Sequence, residues 1–308
     1  MKLHTLIPLA VLSVGLVTTT QESKPARPQI TGIAKVRILA SAPRNDAAHN
    51  SALFYLQVLG FSGLPSCYDD VTIYCLGINE HQFVSLIASS DKEANSRISE
   101  IVFETSDVEQ LRNHLDSIGV KTSDIQGPKS GNRHFTVRDP EGHSIGFVQH
   151  TRSFKVDGSA NQVSTHLIHA GFVVRDRAAE DRFYKDILGF HVYWHGGRKD
   201  DETNWVDMQV PDGTDWIEYM LNVPANADHH TLGVMNHIAL GVPDIHAAEA
   251  QLRKNGWTGN EQPKIGRDGK WQLNLYDPDD TRVELMEFTP TQKPCCSEYT
   301  GPHPGQHP

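Results

Sequence analysis

The chain repeats a short helix-ending motif at two distant places. FYLQVLGF spans Phe54 to Phe61, and FYKDILGF spans Phe183 to Phe190, 129 residues later. Two more pairs of segments match at offsets of 137 and 138: DVEQLRNHLDSIGV with DIHAAEAQLRKNGW, from Asp107 and Asp244, and DPEGHSIGF with DPDDTRVEL, from Asp139 and Asp277. Because loops absorb such small differences in offset, we infer that the chain is a duplication and that each half contains two similar units.

Each unit has the same local pattern. It begins with a strand-like run such as VMNHIALGV, and a helix follows. In the third unit Ala179, Phe183 and Ile187 recur every four residues on one helix face, and Gly189 ends that helix. Shorter strands then alternate with turn sequences such as PDG and DPDD. The pattern predicts an α+β fold built from four βαβββ units.

Composition narrows the class of protein. The 308 residues, 38% of them apolar, suffice for two medium cores, and length alone slightly favours two domains. The net charge of −10, without a run of Lys or Arg, argues against a nucleic-acid partner. We expect a small-molecule substrate as the partner. The oligomeric state stays open, and a homodimer is one option.

The first 20 residues resemble an export signal. Lys2 precedes an apolar run from Leu6 to Val17, which is short for a membrane span, and small residues follow it. We expect a secreted or periplasmic protein with no membrane attachment beyond this signal; a buried helix or an uncleaved anchor is the alternative. Four cysteines fit an oxidising compartment: Cys67 and Cys75 could form a bridge, and Cys295 and Cys296 are adjacent in a Pro-rich tail.

The paired βαβββ units, the FYxxxLGF helix end, the DP turn and the NHIALGVPD strand together resemble the vicinal oxygen chelate superfamily. This superfamily includes glyoxalase I, extradiol dioxygenases, methylmalonyl-CoA epimerase and antibiotic-resistance proteins. The resemblance covers about residues 30 to 290 and implies two domains with half-open barrel sheets. The predicted organisation is a signal (1–20), a linker (21–29), an N-terminal domain without metal ligands (30–152), a linker (153–165), a C-terminal domain with a metal site (166–290) and a flexible tail (291–308).

The resemblance places metal ligands on the first and last strands of each unit. In the C-terminal half those places hold His169, Glu218, His237 and Glu284. Neutral imidazole and carboxylate together bind one divalent ion such as Zn, Ni, Fe, Mn or Co. A lone His in a strand is usually a hydrogen-bonded core residue, but the His-then-Glu pattern recurs in both units of this half, which favours a metal site.

The N-terminal half lacks this pattern. Glu100 stands in the place of His237, Gly146 stands in the place of Glu284, and the segments 34–43 and 82–90 contain neither His nor an acidic residue. We therefore expect this half to be a scaffold that packs against the other half or covers its cleft.

The resemblance leaves three reactions or functions open. A glyoxalase-like lyase or isomerase matches best, because glyoxalase I uses a His, Glu, His, Glu set in which Glu284 and Glu218 would also be catalytic and move a proton. The epimerase has Gln in the place of Glu218. An extradiol dioxygenase would use His169, His237 and Glu284, but Asn274 stands where those enzymes carry a Tyr. A non-enzymatic binder is the third option, and the aromatic residues Trp205, Trp216, Tyr219 and Trp271 are either core or cleft-lining.

Overall fold

The computed structural model describes residues 26–41, 46–65, 74–89, 97–129, 131–156 and 160–306. The export signal and Cys67 lie outside these ranges, so the predictions of processing and of a Cys67–Cys75 bridge stay predictions. Among the described residues, no helix has both the length and the apolar character needed to cross a membrane.

The N-terminal half forms a seven-stranded sheet. Its strands are β1 (Ile30–Ser41), β2 (Ser62–Gly63), β3 (Tyr74–Gly77), β4 (Phe83–Ser89), β5 (Ile98–Thr105), β6 (Arg133–Arg138) and β7 (Ser144–Gln149), in the spatial order β2-β3-β4-β1-β5-β7-β6. The helices are α1 (Asp46–Leu53) and α2 (Val108–Ser117). In the second unit an isolated bridge between Gln126 and His134 stands where the first strand after the helix is expected.

The C-terminal half forms an eight-stranded sheet. Its strands are β8 (His166–Val173), β9 (His191–Gly196), β10 (Trp205–Gln209), β11 (Trp216–Met220), β12 (His237–Val242), β13 (Lys264–Ile265), β14 (Trp271–Tyr276) and β15 (Arg282–Glu287), in the order β13-β14-β15-β12-β8-β11-β10-β9. The helices are α3 (Arg177–Asp181), α4 (His229–Met235) and α5 (Ile245–Lys254). The predicted α+β fold of duplicated units with a half-barrel sheet is confirmed.

The two central strands of each sheet are antiparallel, and each lies parallel to the last strand of its own unit. In the second sheet β8 pairs with β12, β11 lies beside β8, and β15 lies beside β12. The first sheet repeats this arrangement with β1, β5, β4 and β7. The first and last strands of both units are therefore neighbours, which is the arrangement that a shared site requires.

Each copy of FYxxxLGF forms a π-helical turn. The turns span Phe54–Val58 after α1 and Arg182–Ile187 after α3. Each closes with a hydrogen bond five residues back, from Leu59 N to Phe54 O at 3.2 Å and from Leu188 N to Phe183 O at 3.1 Å. The helix ends as predicted, because Gly189 has φ +84°, which favours glycine.

The tyrosine of each copy reaches the other half of the chain. Tyr184 donates to the Asp139 carboxylate at 3.2 Å, and Tyr55 donates to the Asp277 carboxylate at 3.4 Å. Asp139 and Asp277 begin the two matching DP turns. The buried apolar core is continuous through both halves, with Phe103 of one half packed edge-on against Phe190 of the other at 5.2 Å. The motif occurs twice because each copy joins its own half to the opposite one.

Residues 291–306, the described part of the segment predicted as a flexible tail, contain no helix or strand, and they are held along the second sheet. Thr300 N donates to Tyr193 O at 3.0 Å, and the indole of Trp194 donates to Cys295 O at 3.2 Å. Near its end, the imidazole of His166 contacts Gly305 O at 2.5 Å. Cys295 and Cys296 form a disulfide between adjacent residues.

Candidate metal centre

The four predicted ligands lie on four adjacent strands: Glu284 on β15, His237 on β12, His169 on β8 and Glu218 on β11. The register brings them together, because His237 and Glu218 both pair with Gly171, while Glu284 and His169 both pair with Ala239. Gly171 is required here, since a Cβ at this position would lie 2.1 Å from Cε1 of the His237 ring.

The donor atoms of the four side chains converge. The Nε2 atoms of His169 and His237 are 3.0 Å apart. Glu218 Oε2 lies 3.0 Å from His237 Nε2 and 3.8 Å from His169 Nε2. Glu284 Oε2 lies 3.7 Å and 3.8 Å from the same two nitrogens. The structure thus brings all four predicted residues to one place inside the second sheet.

This geometry fits a metal ion. Ligand atoms at about 2.0–2.2 Å from a common ion in tetrahedral geometry are roughly 3.3–3.6 Å apart, close to the separations seen here. His237 Nδ1 faces Met235 O at 3.3 Å, an outer hydrogen bond that directs Nε2 toward the cluster. His169 Nδ1 is buried and has no hydrogen-bond partner within the described residues.

Burial sets the protonation of the donor atoms. It holds the pKa of His169 well below its usual range, and the positive charges of Arg282, Lys270 and, when it is protonated, His237 lower this pKa further. Burial, and to a smaller extent the charge of Arg282, also hold the pKa of His237 well below its usual range. Both imidazoles are therefore neutral at pH 7, which is the form that binds a metal.

Burial shifts the pKa values of the two carboxyl groups upward. Burial raises the pKa of Glu218 to about 7, and it raises the pKa of Glu284 to about 7, in both cases against the charge of Arg282, which lowers it. Their side chains are only 13% and 5% exposed. Each carboxyl group can therefore hold or release a proton near neutral pH, as a general acid or base must.

Arg282 is a cationic residue of the site that sequence reasoning missed. Its Nη2 lies 2.7 Å from His237 Nε2 and 3.8 Å from Glu284 Oε2. It stands two residues before Glu284 on β15, so the period of a strand puts both side chains on one face. His237 Nε2 has a single lone pair, which cannot accept a hydrogen bond and bind an ion at once. An ion bound there would therefore displace the Arg282 guanidinium from this nitrogen.

A cavity of about 310 Å³ opens beside the cluster. Asn274 lines it, with a buried Oδ1 that has no hydrogen-bond partner among the described residues. Trp205 also lines the cavity, and Trp216 stacks against the His169 ring at 4.8 Å. Tyr219 belongs to the core instead, and Trp271 packs against that core.

Behind the cavity wall, Lys270 is fully buried among three aromatic rings. Its Nζ lies 4.8 Å from the ring of Trp216 and slightly farther from those of Tyr193 and Tyr299. Burial lowers the pKa of Lys270 to about 8, although Asp268 and Asp207 oppose the shift. Tyr299 comes from the C-terminal segment, so that segment completes the enclosure of this cation.

The first sheet holds different residues at the matching positions. Aligning the two sheets by their strand pairs places Lys35, Ser85, Glu100 and Gly146 opposite His169, Glu218, His237 and Glu284. The expected positions of Glu100 and Gly146 are confirmed. The Lys35 ammonium lies 2.6 Å from Glu100 Oε2, and the Arg37 guanidinium lies 3.0 Å from it, so cationic side chains neutralise the carboxylate there.

Duplicated βαβββ units bring two His and two Glu together in a half-barrel, and this cluster is a candidate metal centre. Residues 166–285 match the family model described as the Glyoxalase/Bleomycin resistance protein/Dioxygenase superfamily. The resemblance drawn from the sequence motifs is confirmed.

Three solved structures share the fold of nearly the whole chain. A variant of homoprotocatechuate 2,3-dioxygenase from Brevibacterium fuscum in complex with HPCA has a TM-score of 0.63 at 18% identity, covering 91% of this chain and 75% of that one. The enzyme from Arthrobacter globiformis has a TM-score of 0.62 at 18% identity, with coverages of 87% and 84%. The B. fuscum enzyme with 3,4-dihydroxyphenylacetate has a TM-score of 0.61 at 19% identity, with coverages of 92% and 86%. No curated protein matches the sequence.

Proposed function

We propose that the protein is a metal-dependent lyase or isomerase of glyoxalase-like type, which acts on a small oxygen-chelating substrate by proton transfer. The observation that carries this proposal is the cluster of two carboxylates and two imidazoles. In each of the four His–Glu pairs, the His Nε2 atom lies no more than 3.8 Å from the Glu Oε2 atom. A binding site needs only to hold its ligand, whereas proton transfer needs carboxylates at the reacting centre.

One divalent ion, of Zn, Ni, Fe, Mn or Co, would be held by His169, Glu218, His237 and Glu284. When bound, it supplies a Lewis acid that polarises a carbonyl or enediolate oxygen. The cavity beside the cluster has room for a small substrate, and its wall includes Trp194, Trp205 and Met286 as apolar surface. These side chains exclude water from the reacting carbon.

In this proposal the proton is moved by carboxylates of the chain. Glu284 takes a proton from the substrate carbon and returns it to the adjacent carbon, and Glu218 can do the same from the other side. The strands β15 and β11 that carry them flank the central pair β12 and β8, which supports access from two sides. Arg282 and Lys264 line the same cavity and favour a substrate oxygen that gains negative charge.

A second candidate is ring cleavage by an extradiol dioxygenase. His169, His237 and Glu284 alone bring three donor atoms within 4.8 Å of one another, and two His with one carboxylate form the triad of non-haem Fe(II) oxygenases. The two-domain fold shared with homoprotocatechuate 2,3-dioxygenase also favours it. Against it, Asn274 lines the cavity at the place where the resemblance expects a Tyr acid–base group.

A paired assay separates the two candidates. Metal-free protein is loaded with Zn²⁺, Ni²⁺ or Co²⁺ and assayed with α-ketoaldehyde adducts, and it is loaded with Fe²⁺ under oxygen and assayed with catechols. We expect isomerisation in the first assay and no ring cleavage in the second. Ring-cleavage turnover comparable with that of known extradiol enzymes would replace the first proposal by the second.

A further inference from the structure

A second cluster of metal-binding side chains lies in the first sheet, away from the positions that match the C-terminal centre. His81 precedes β4, Glu104 is near the end of β5, and His150 follows β7. The strand pairings bring these three places to one end of the sheet, because Glu104 pairs with Val148 and the start of β4 runs beside β1. Glu104 is four residues from Glu100 on the same face of β5, about 13 Å away.

The donor atoms of this cluster face a common point. His150 Nδ1 lies 3.2 Å from Glu104 Oε1, and His81 Nδ1 lies 3.6 Å from the same oxygen. The two Nδ1 atoms are 3.4 Å apart. Ligands at about 2.0–2.2 Å from one ion are roughly 2.8–3.6 Å apart in octahedral or tetrahedral geometry, so the three separations suit a shared ion.

The contact of 3.2 Å between His150 and Glu104 is a hydrogen bond, but hydrogen bonding explains the other two distances less well. A separation of 3.6 Å is too long for a hydrogen bond between His81 and Glu104, and two imidazole nitrogens at 3.4 Å are beyond the usual range. Burial raises the pKa of Glu104, but the hydrogen bond from His150 and the charges of His150 and His81 outweigh burial and leave the pKa lowered. Glu104 is thus a carboxylate at neutral pH.

We propose that His81, Glu104 and His150 form a second site for a divalent ion of the zinc class (Zn²⁺, Co²⁺, Ni²⁺ or Cu²⁺), which prefers imidazole with carboxylate. The His150 side chain is 2% exposed, while those of His81 and Glu104 are 41% and 31% exposed. One ligand is therefore fixed by packing, and the other two leave the ion open to water on the solvent side.

An ion bound at this site would lie beside the segment that connects the two halves. Phe154 N donates to Glu80 O at 2.7 Å, and the Asn79 amide donates to Thr165 O at 2.9 Å. The turn that carries His81 therefore touches the segment 153–165 that connects the two halves, and His150 lies three residues before that segment. A bound ion would tie the turn, β5 and the start of this connection together.

The test counts zinc on the full chain. Protein stripped with a chelator is equilibrated with Zn²⁺, and bound zinc is measured for the wild type, His81→Ala, Glu104→Gln and His237→Ala. His230→Ala is the matched control, because His230 is 62% exposed and lies outside both clusters. Circular dichroism verifies that each variant is folded, and His81 is exposed enough for its loss to be tolerated.

We expect two zinc ions on the wild type and on the control, and one on each of the other variants. Zinc affinity at the N-terminal site should fall by at least about 10–100-fold in His81→Ala, since even altering an outer partner of a ligand has that effect. Crystals soaked in Zn²⁺ should show anomalous scattering between the three donor atoms. Equal zinc counts for the wild type, His81→Ala and Glu104→Gln, with no such scattering, would overturn the proposal.

Discussion

The affinity of the C-terminal centre for a metal ion should depend steeply on pH. Glu218 and Glu284 both have a pKa raised to about 7 by burial, so in the metal-free protein both are largely protonated at pH 6 and largely ionised at pH 8. A metal binds only the carboxylate form, so affinity is full above pH 8 and is lost as pH falls through 7. His169 and His237, whose pKa values are lowered by burial, stay neutral over this range and add little.

The size of the effect follows from the two ionisations. A carboxyl group with a pKa of 7 is ionised to about 9% at pH 6 and about 91% at pH 8, a tenfold ratio. Two such groups that must both ionise give a change of about 100-fold in apparent affinity between pH 6 and pH 8. An ordinary exposed carboxyl pair, ionised at both pH values, would give almost no change.

The assay is competition between the protein and a chromophoric chelator for Zn²⁺ at pH 6, 7 and 8. The variants Glu218→Gln and Glu284→Gln each remove one titrating group, so each should reduce the pH effect to about tenfold. Glu298→Gln, an exposed glutamate with a side chain 73% accessible to solvent, is the control that should retain the full effect.

An affinity that changes less than threefold between pH 6 and pH 8 would show that the two carboxyl groups are not both ligands or do not titrate near neutrality. A 100-fold effect that survives in both Gln variants would place the titration on other groups, such as Asp268, whose pKa burial raises to about 6.

Three further predictions concern catalysis, stability and processing. Glu284→Gln should lower turnover on the true substrate by about 10²-fold or more, the usual contribution of a general base, while much of the metal stays bound; full turnover would assign the base to Glu218 or to a group outside the cluster. Tyr184→Phe should destabilise the fold by about 1 kcal/mol, which is a fall of roughly 2–4 °C in Tm by calorimetry. Tyr55→Phe should destabilise it less, because the hydrogen bond from Tyr55 to Asp277 is longer than that from Tyr184 to Asp139. Unchanged Tm values would show that these two hydrogen bonds between the halves contribute nothing to stability. Protein from the native host should begin near residue 21, and N-terminal sequencing that finds Met1 would contradict export.

The sequence predicted the C-terminal cluster well because the internal repeat carried the information. Two units with the same strand order place matching residues side by side once their first strands pair. His169 and His237 hold matching places in the third and fourth units, so their convergence required only the fold. Glu218 and Glu284 followed in the same way from the last strands.

Features without a counterpart in the repeat escaped prediction. His81 precedes β4, Glu104 lies near the end of β5 and His150 follows β7, and the second half has Gly241 and Phe288 where Glu104 and His150 stand. No spacing rule links such residues before the strand register is known. Arg282 lies on the same face of β15 as Glu284, but the conformation of such a long side chain depends on the residues packed around it.

The π-helical turns and the C-terminal segment escaped for other reasons. The spacing of four predicted an α-helical face with Phe183 and Ile187, whereas the π-turn buries Phe183, Tyr184 and Leu188 and leaves Ile187 only partly buried. The C-terminal segment has no periodicity, and single side chains from distant strands hold it in place. Its composition of Pro, Gly and polar residues is also that of an unbound tail.

The crossed tyrosine bonds change what natural selection can act on in each half. A substitution at Tyr55 should weaken the turn at Asp277, next to the strand that carries Glu284, although Tyr55 belongs to the other half of the chain. The matching positions of the first half hold Lys35 and Gly146 in place of His169 and Glu284, while its FYxxxLGF copy still contacts the other half. The two copies share Phe, Tyr, Leu, Gly and Phe at five of eight positions, although the two halves differ at the positions of the metal-binding cluster, and each copy thus acts as a joint that stabilises the opposite half.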